Sequence, residues 1–360
     1  MERAREEHDS FARALTEAGA QVYYIEELVA EIMEDMEVKD QLIQEHLRLS
    51  NIADPDTLRV VAEYLRDLPH PETVEHLTGG LPKLKVRDLK DSLSLSDLTP
   101  VGFPFYLPPL PSMYFMRDHG ITLENGIIVS TMFNDARKRE PLFLKAIVQH
   151  HSAFSHTQIL PTEPMPRGIE GGDILVLGKD TLLVGLSQRT TEQAIETLAQ
   201  RLMIQHPILK QVLVMQIPIK RAYMHLDTVF TMVDYDKFLL FPGIRDMVYM
   251  YRLRRGSNNK VQAEQLNNIK EGLEIALGHS VQIIYSGGAT SYEASREQWN
   301  DSTNTLAVAP GKVIVYNRNQ LTNKTLRKAG IDTIEVEGSE LVRGRGGPRC
   351  MSMPLERDII

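Results

Sequence analysis

Short apolar runs separated by turn residues dominate the chain from about residue 120 onward, and they constrain the fold more than any other feature. Ile174–Leu177 and Leu182–Leu186 flank Gly178-Lys179-Asp180, a hairpin signature. Ile127–Val129, Val212–Ile217, Thr228–Val233, Phe238–Phe241, Val281–Ile284, Leu306–Ala309 and Val313–Tyr316 read as further short strands. Helical periodicity falls between them, over Pro141–His150, Thr190–Leu202, Val261–Leu277 and Leu321–Ala329. Thr190 followed by Gln193 has the spacing of a capping box. A strand, a few polar residues including Arg, then a helix occurs at Leu183–Thr190 and again at Val313–Gln320, with a looser copy at Ile127–Arg139. Repeated strand–strand–helix units predict an α/β array closed on itself rather than one long doubly wound sheet.

The first hundred residues read differently. Residues 2–18 carry Ala4, Phe11, Leu15 and Ala18 at helical spacing, with Gly19 placed to stop the helix. Val22-Tyr23-Tyr24-Ile25 follows as a β-type run. From Glu26 to about Leu84 the spacing of Leu28, Ile32, Leu42, Leu47 and Leu49 is helical. Asp54-Pro55 and Pro69-His70-Pro71 open further helices, the second closed by Gly79-Gly80. Glu26, Glu27, Glu31, Glu34, Asp35 and Glu37 form a solvated acidic face. From Pro100 to Pro111 five prolines make a stiff connection from which helix is excluded.

Composition narrows the functional classes. A chain of 360 residues with 42% hydrophobic and 24% charged residues can bury a sizeable core. A net charge of −8 and the lack of a dense Lys/Arg run argue against nucleic acid as a partner. No apolar stretch has transmembrane length, and the charged start Glu2–His8 is not an export signal. With a single cysteine, a reducing cytoplasm is the expected location.

That cysteine sits in Arg343-Gly344-Arg345-Gly346-Gly347-Pro348-Arg349-Cys350-Met351-Ser352-Met353-Pro354. Three glycines and a proline shape a loop that presents Cys350, and three arginines would favour its thiolate if they lie near the sulfur. A lone cysteine is more often buried and inert, so other segments decide its role. Four are dense in polar groups: Phe115-Met116-Arg117-Asp118, Ile169-Glu170-Gly171-Gly172-Asp173, His225-Leu226-Asp227, and the arginines Arg137 and Arg189 where strands give way to helices. On a strand, His225 and Asp227 would project to one face. Each feature also has a structural reading: a hydrogen-bonding pair, a tight turn, a surface ion pair. A metal site of His225, Asp227, Glu170 and Asp173 is conceivable, but the spacing of a fixed zinc site is missing. Several carboxylates, an imidazole and a thiol suit a guanidinium, which carboxylates grip bidentately while a thiolate attacks its central carbon.

The combination FMRD, EGGD, MHLDTVF and GRGGPRCMSMPLER resembles bacterial arginine deiminase, of the guanidino-group-modifying (pentein) superfamily, along essentially the whole chain. The resemblance implies an α/β five-module propeller with pseudo-fivefold symmetry over residues 1–26 and 86–360, and an inserted all-helical domain over 27–85. It implies Cys350 as the nucleophile of an amidino intermediate, His225 as general acid and base, Asp118 and Asp227 as clamps on the guanidinium, and Glu170 supporting His225. Arg137 and Arg189 match the arginines that hold the substrate carboxylate, with Phe115 and Ser112 also lining the substrate. L-Arginine is the implied substrate, hydrolysed to L-citrulline and ammonia without cofactor or metal; a homo-oligomer is the expected assembly.

Three departures stand out. Met116 replaces the usual threonine of FTRD, and Ser112 stands where the family commonly has an asparagine, which would weaken a carboxylate contact. Family members begin with a longer strand-containing segment that bears an acidic loop, so a form extended upstream is expected to be more stable and more active. The alternatives are another guanidino-modifying enzyme (a methylarginine hydrolase or an amidinotransferase), a form that binds without turnover, and a metal hydrolase built on His225, Asp227 and Glu170.

Overall fold

The computed structural model describes residues 2–50, 52–99, 102–124, 126–161, 164–257 and 260–356, so Pro100 and Val101 of the proline-rich stretch lie outside the described residues. The chain divides into two compact units, one of residues 1–22, 115–133 and 160–360, the other of 23–114 and 134–159. The architecture is mixed α/β.

The first unit opens with helix α1 (Glu2–Glu17). The second holds α2 (Ile25–Ile32), α3 (Met36–Arg48), α4 (Pro55–Asp67), α5 (His70–Gly79) and the short α6 (Lys83–Val86) and α7 (Leu95–Leu98). A small antiparallel pair, β1 (Leu81–Pro82) with β2 (Phe105–Leu107), completes this part. It also contains α8 (Glu140–His150) and the two-residue strand β5 (Gln158–Ile159). Its core gathers Val29, Met33, Leu42, Ile43, Val61, Leu65, Leu77, Phe143 and Ile147, so α8 is buried against α2 and α3. That packing makes the unit wider than the 27–85 block expected to be helical. The helix starts follow local chemistry: Asp35 and Asp54 accept the backbone N–H groups of Glu37 and Thr57 at the N-caps of α3 and α4. Val22–Tyr24 form no strand, because α2 already begins at Ile25 and Tyr23 and Tyr24 face solvent.

In the first unit β3 (Gly120–Leu123) and β4 (Gly126–Val129) form an antiparallel hairpin. One pattern then recurs among the described residues: an antiparallel pair, a helix, and a strand that returns parallel to the second. Strands β6 (Ile174–Gly178) and β7 (Thr181–Leu186) lead through α9 (Glu192–Gln205) to β8 (Gln211–Gln216), which lies parallel to β7. Strands β9 (Phe230–Met232) and β10 (Lys237–Leu240) precede a second hairpin, β11 (Tyr249–Arg255) with β12 (Val261–Leu266). Helix α10 (Ile269–Leu277) then delivers β13 (Gln282–Tyr285) parallel to β10. After α11 (Ser291–Gln298), β14 (Leu306–Ala309) pairs with β15 (Lys312–Tyr316), and α12 (Gln320–Lys328) returns β16 (Asp332–Val336) parallel to β15. The inserted hairpin joins the first repeat, giving a sheet ordered β12-β11-β8-β7-β6. Apolar residues on both faces of these strands build cores around Leu183, Leu213 and Phe238, and around Ile121, Val184 and Leu198.

Two helical expectations shift. Residues 261–266 are an edge strand, not the first turns of a helix, because β11 offers a register in which Glu264 meets both Arg252 and Arg254. Helix α9 is capped by Thr191, whose hydroxyl accepts from the Ala194 N–H, rather than by Thr190 with Gln193. No helix among the described residues is long and apolar enough to cross a membrane.

Helix α1 is tied to the segment that leads to Cys350. Buried Glu7 accepts from the Ser339 N–H and hydroxyl at 3.0 and 2.6 Å, the Glu340 N–H at 2.9 Å and the Leu341 N–H at 3.1 Å. Those donors outweigh the burial that opposes them and hold the carboxyl below its usual range, so its contribution is fully present above that range and lost as pH falls below it through the lowered value. Glu7→Ala leaves three backbone N–H groups of this loop without their acceptor. A loss of stability on the order of 3 kcal/mol is expected, read by urea unfolding at neutral pH.

Candidate active site

Five short segments of the first unit meet at strand ends and turns. Asp118 lies in a 3-10 turn, Met116–His119, immediately before β3. Glu170 precedes the turn Gly171–Asp173 that opens β6. Arg189 follows β7, and Cys350 ends the glycine-rich loop. His225 and Asp227 are not on a strand. His225 is extended, but Leu226–Thr228 form a 3-10 turn held by the Thr228 hydroxyl donating to His225 O at 2.7 Å. The turn still carries both side chains into the site, while Leu226 is buried in the apolar core.

The glycines of this region make room. A Cβ on Gly172 would come within 2.6 Å of Asp118 Oδ1 and 2.9 Å of His225 Cγ, and one on Gly171 within 2.1 Å of Arg117 O. Gly346 lies flat against the buried Phe115 ring, where a Cβ would approach to 2.2 Å.

His225 Nε2 is 2.7 Å from Glu170 Oε2, and its Nδ1 is 3.6 Å from Asp118 Oδ1. Glu170 Oε1 accepts from the Phe133 N–H at 2.9 Å, and Arg189 Nη1 lies 3.6 Å from Glu170 Oε2. Cys350 Sγ is 3.8 Å from both carboxylate oxygens of Asp227, and Arg349 Nε is 3.4 Å from Asp227 Oδ2. The two halves are pinned together by the Arg117 N–H donating to Cys350 O at 3.0 Å. Asp118, Glu170, His225, Asp227 and Cys350 are all essentially removed from solvent.

The second unit carries the remaining candidates. Arg137 ends a 3-10 turn and is buried, its Nε and Nη2 donating to Glu140 Oε2 at 2.9 and 2.7 Å. Ser112 lies half-buried in the turn before Phe115.

Burial sets the electrostatics. It would push His225 down, but the charge of Asp118 and the hydrogen bond to Glu170 overcome it and hold the imidazole at about 10, hence protonated at neutral pH. Asp227 is raised by burial against the opposing pull of Arg349. Asp173, buried beneath the His225 turn, is pushed up to about 7. Cys350 stands well above the ordinary thiol value, first through burial and then through Asp227, Asp118 and Asp301. The three nearby arginines therefore do not make Cys350 a thiolate. Arg343 is exposed beside Glu340, Arg345 stacks 4.0 Å above the Trp299 ring, and only Arg349 reaches Asp227.

Asp118, Glu170 and His225 each offer a ligand atom within 4.8 Å of the others, so a metal ion could be held there. An imidazole protonated at neutral pH, with carboxylates facing both nitrogens, resists that use because a ligand nitrogen must be free of its proton. The arrangement suits a cation: carboxylates surround a thiol, and a protonated imidazole stands ready to donate.

Two groups singled out in the sequence take other places in this network: Arg349 lies beside Asp227, and Asp173 accepts from the Leu226 N–H and the Ser187 hydroxyl at 2.7 Å each; sequence reasoning passed over the last member, Asn304 under the Cys350 loop. The polar run Asp301–Thr305 directly before an apolar strand was the available signal for the last.

The site is defined by a thiol, an imidazole and several carboxylates buried together in a mixed α/β chain. More closely, the sequence profile of the arginine deiminase family matches residues 1–357, and the chain belongs to that family. It is 42% identical over 362 residues to the arginine deiminase of Streptococcus pneumoniae strain CGSP14, covering 99% of this chain and 88% of that protein. The protein of strain Hungary19A-6 is 41% identical with the same coverage. Among solved structures, ArgZ, a cyanobacterial arginine dihydrolase from the ornithine–ammonia cycle, aligns with a TM-score of 0.49 and 17% identity, over 69% of this chain and 33% of that one. DDAH from Pseudomonas aeruginosa, a cysteine-to-serine mutant complexed with citrulline, aligns with a TM-score of 0.46 and 17% identity, over 69% and 79%.

The electrostatics make a direct forecast for the free protein. At pH 7 to 8, Cys350 should react with iodoacetamide more slowly than an unstructured thiol, because it is buried and protonated. Asp227→Asn removes the charge nearest the sulfur, lowers its pKa and should raise the alkylation rate at pH 8, read by mass spectrometry. An unchanged rate would mean that Asp227 does not govern the thiol.

Proposed function

We propose that this protein hydrolyses L-arginine to L-citrulline and ammonia through a covalent amidino intermediate on Cys350. It is a hydrolase of the C–N bonds of linear amidines, as membership of the arginine deiminase family indicates. The observation that carries the mechanism is the buried thiol 3.8 Å from Asp227, in one site with a protonated His225 held by Asp118 and Glu170.

A guanidinium bound between Asp118 and Asp227 brings a positive charge beside the sulfur. It offsets the carboxylates that hold Cys350 protonated, the thiol ionises and its proton passes to solvent. The thiolate attacks the central guanidino carbon, forming a C–S bond. His225 protonates one terminal nitrogen, the C–N bond breaks and ammonia leaves. The neutral imidazole then takes a proton from the attacking water. The C–S bond breaks, citrulline departs, and the hydroxyl proton of the adduct returns to sulfur. Glu170 keeps His225 oriented throughout. Arg189 and Arg137 are assigned to the substrate carboxylate, Phe115 and Ser112 to the substrate-lining wall.

The recurring hairpin–helix–strand units of the first unit support a pentein propeller as the catalytic domain, with a helical insertion. A reducing cytoplasm suits a free thiol nucleophile. Exposed Leu84, Leu89, Leu95, Leu98 and Phe103 in the second unit give a homo-oligomer an apolar surface to use.

The deciding assay is citrulline formation from arginine, with and without chelator. Cys350→Ser should abolish turnover while leaving circular dichroism and melting temperature near wild type, and chelator should have no effect. Loss of wild-type activity on chelation, or full activity of the serine variant, would favour the metal reading. Arg189→Ala should weaken arginine by about tenfold or more while sparing agmatine, which lacks the carboxylate, consistent with ~1.5–3 kcal/mol for a charged hydrogen bond. Equal losses on both substrates would remove Arg189 from the carboxylate site.

A further inference from the structure

Beneath the nucleophile loop lies an asparagine that touches both halves of the reacting constellation. Asn304 is fully buried. Its Oδ1 accepts from the Cys350 N–H at 2.9 Å and from the Gly347 N–H at 3.0 Å. Its Nδ2 donates to Asp227 O at 3.1 Å, and its own carbonyl accepts from the Arg349 N–H at 3.3 Å. These partners fix which end of the amide is which: two N–H donors face the oxygen and a carbonyl faces the nitrogen. Gly347 is shaped to this contact, since a Cβ there would lie 2.6 Å from Asn304 O and 2.9 Å from Asn304 Oδ1.

The neighbouring residues extend the tie. Thr303 Oγ1 donates to Thr228 O, Gln298 Nε2 reaches the same carbonyl at 2.6 Å, and the Thr231 hydroxyl donates to Thr303 O at 2.7 Å. The 301–305 segment is thus bonded to the turn that carries Asp227, and through Asn304 to the loop that carries Cys350. These two segments are more than a hundred residues apart in sequence, and one side chain joins them.

We propose that Asn304 is a positioning residue, whose amide fixes the separation and orientation of the Cys350 thiol and the Asp227 carboxylate. This rests on the reading of Cys350 as nucleophile and Asp227 as clamp. No other common side chain of this length offers a two-fold acceptor and a donor on one planar group. Aspartate keeps the acceptor, loses the donor, faces the Asp227 carbonyl with a lone pair and adds a charge at the Cys350 amide. Serine keeps a hydroxyl that can give or accept, but at shorter reach.

The test uses the full chain and two readouts. Turnover is measured as citrulline formation, with kcat and KM separated. In the absence of arginine, the pH dependence of Cys350 alkylation by iodoacetamide is followed by mass spectrometry. The groups that face the sulfur are Asp118, Asp227 and Asp301 on one side of the balance and Arg349 on the other. Asn304→Asp should lower kcat by about 10²-fold with KM within a few-fold of wild type, as a displaced nucleophile does. It should also move the alkylation midpoint upward by about one pH unit. Asn304→Ser should fall between that variant and wild type in kcat, with little shift of the midpoint. If either variant loses activity only in proportion to its folded fraction, complete misfolding included, Asn304 is merely structural and the proposal is overturned. A kcat within threefold of wild type with an unmoved alkylation profile in Asn304→Asp overturns it equally. If wild-type protein makes no citrulline, the catalytic reading fails instead, and the alkylation profile still reports whether Asn304 sets the environment of the thiol.

Discussion

The burial of opposed charges around one thiol governs the rest of this structure. Asp118, Glu170, Asp173 and Asp227 are withdrawn from water together with His225 and Arg349. Moving such groups out of water costs several kcal/mol each, and attraction recovers that cost only where geometry and further hydrogen bonds are good. The site meets that condition with neutral donors: the Phe133 N–H on Glu170, and the Leu226 N–H with the Ser187 hydroxyl on Asp173. What those bonds do not neutralise is an excess of carboxylate around the sulfur. The protonated imidazole follows from that excess, and the raised thiol follows first from burial and then from the same carboxylates.

The recurring hairpin–helix–strand unit explains how five distant segments reach one place. Each unit ends strands in turns, and turns can carry polar side chains without breaking a ladder. Asp118, Glu170, Arg189 and the His225–Asp227 turn all sit at such ends. Close approach is then limited by Cβ atoms. Gly171, Gly172, Gly185 and Gly346 stand where a methyl group would displace Arg117, His225, Asp173 or Phe115. The glycines of EGGD therefore serve packing around carboxylates as much as the turn itself.

Much of this was legible in the sequence, for identifiable reasons. Gly178-Lys179-Asp180 between two apolar runs is a local signal, and the β6–β7 hairpin follows it. The strand–helix repeats at 183–190 and 313–320 are visible because both strands are buried on two faces and read as unbroken apolar runs. Val261–Leu266 was not legible as a strand, since an edge strand held by Arg252, Arg254 and Glu264 has the composition of a solvated helix. The His225 turn was misread because a 3-10 turn two residues before a strand looks like its continuation. The charge balance at Cys350 was not legible because sequence proximity of three arginines says nothing of their direction: Arg343 is exposed beside Glu340 and Arg345 stacks on Trp299, while Asp227, 123 residues away, faces the sulfur. Asn304 escaped notice because a buried amide bonded to main chain leaves no pattern beyond one polar residue among others.

A thiol held in its protonated form looks ill suited to a nucleophile until the substrate's own charge is counted. The carboxylates that raise the thiol pKa are the same groups that can pair with a guanidinium, so binding and activation draw on one source. Arg349 offers one positive charge to Asp227 from 3.4 Å, which limits how far burial raises that carboxyl. It leaves Asp118 and His225 as a separate pair on the other side. A planar cation reaching both Asp118 and Asp227 would join the two halves electrostatically, as the Arg117 N–H on Cys350 O already joins them through the backbone. A neutral ligand of the same shape would fill the space without lowering the thiol pKa. On the proposed reading of Cys350 as nucleophile, discrimination between the two lies in the ionisation of sulfur and not only in affinity, which couples reactivity to the charge of the bound molecule.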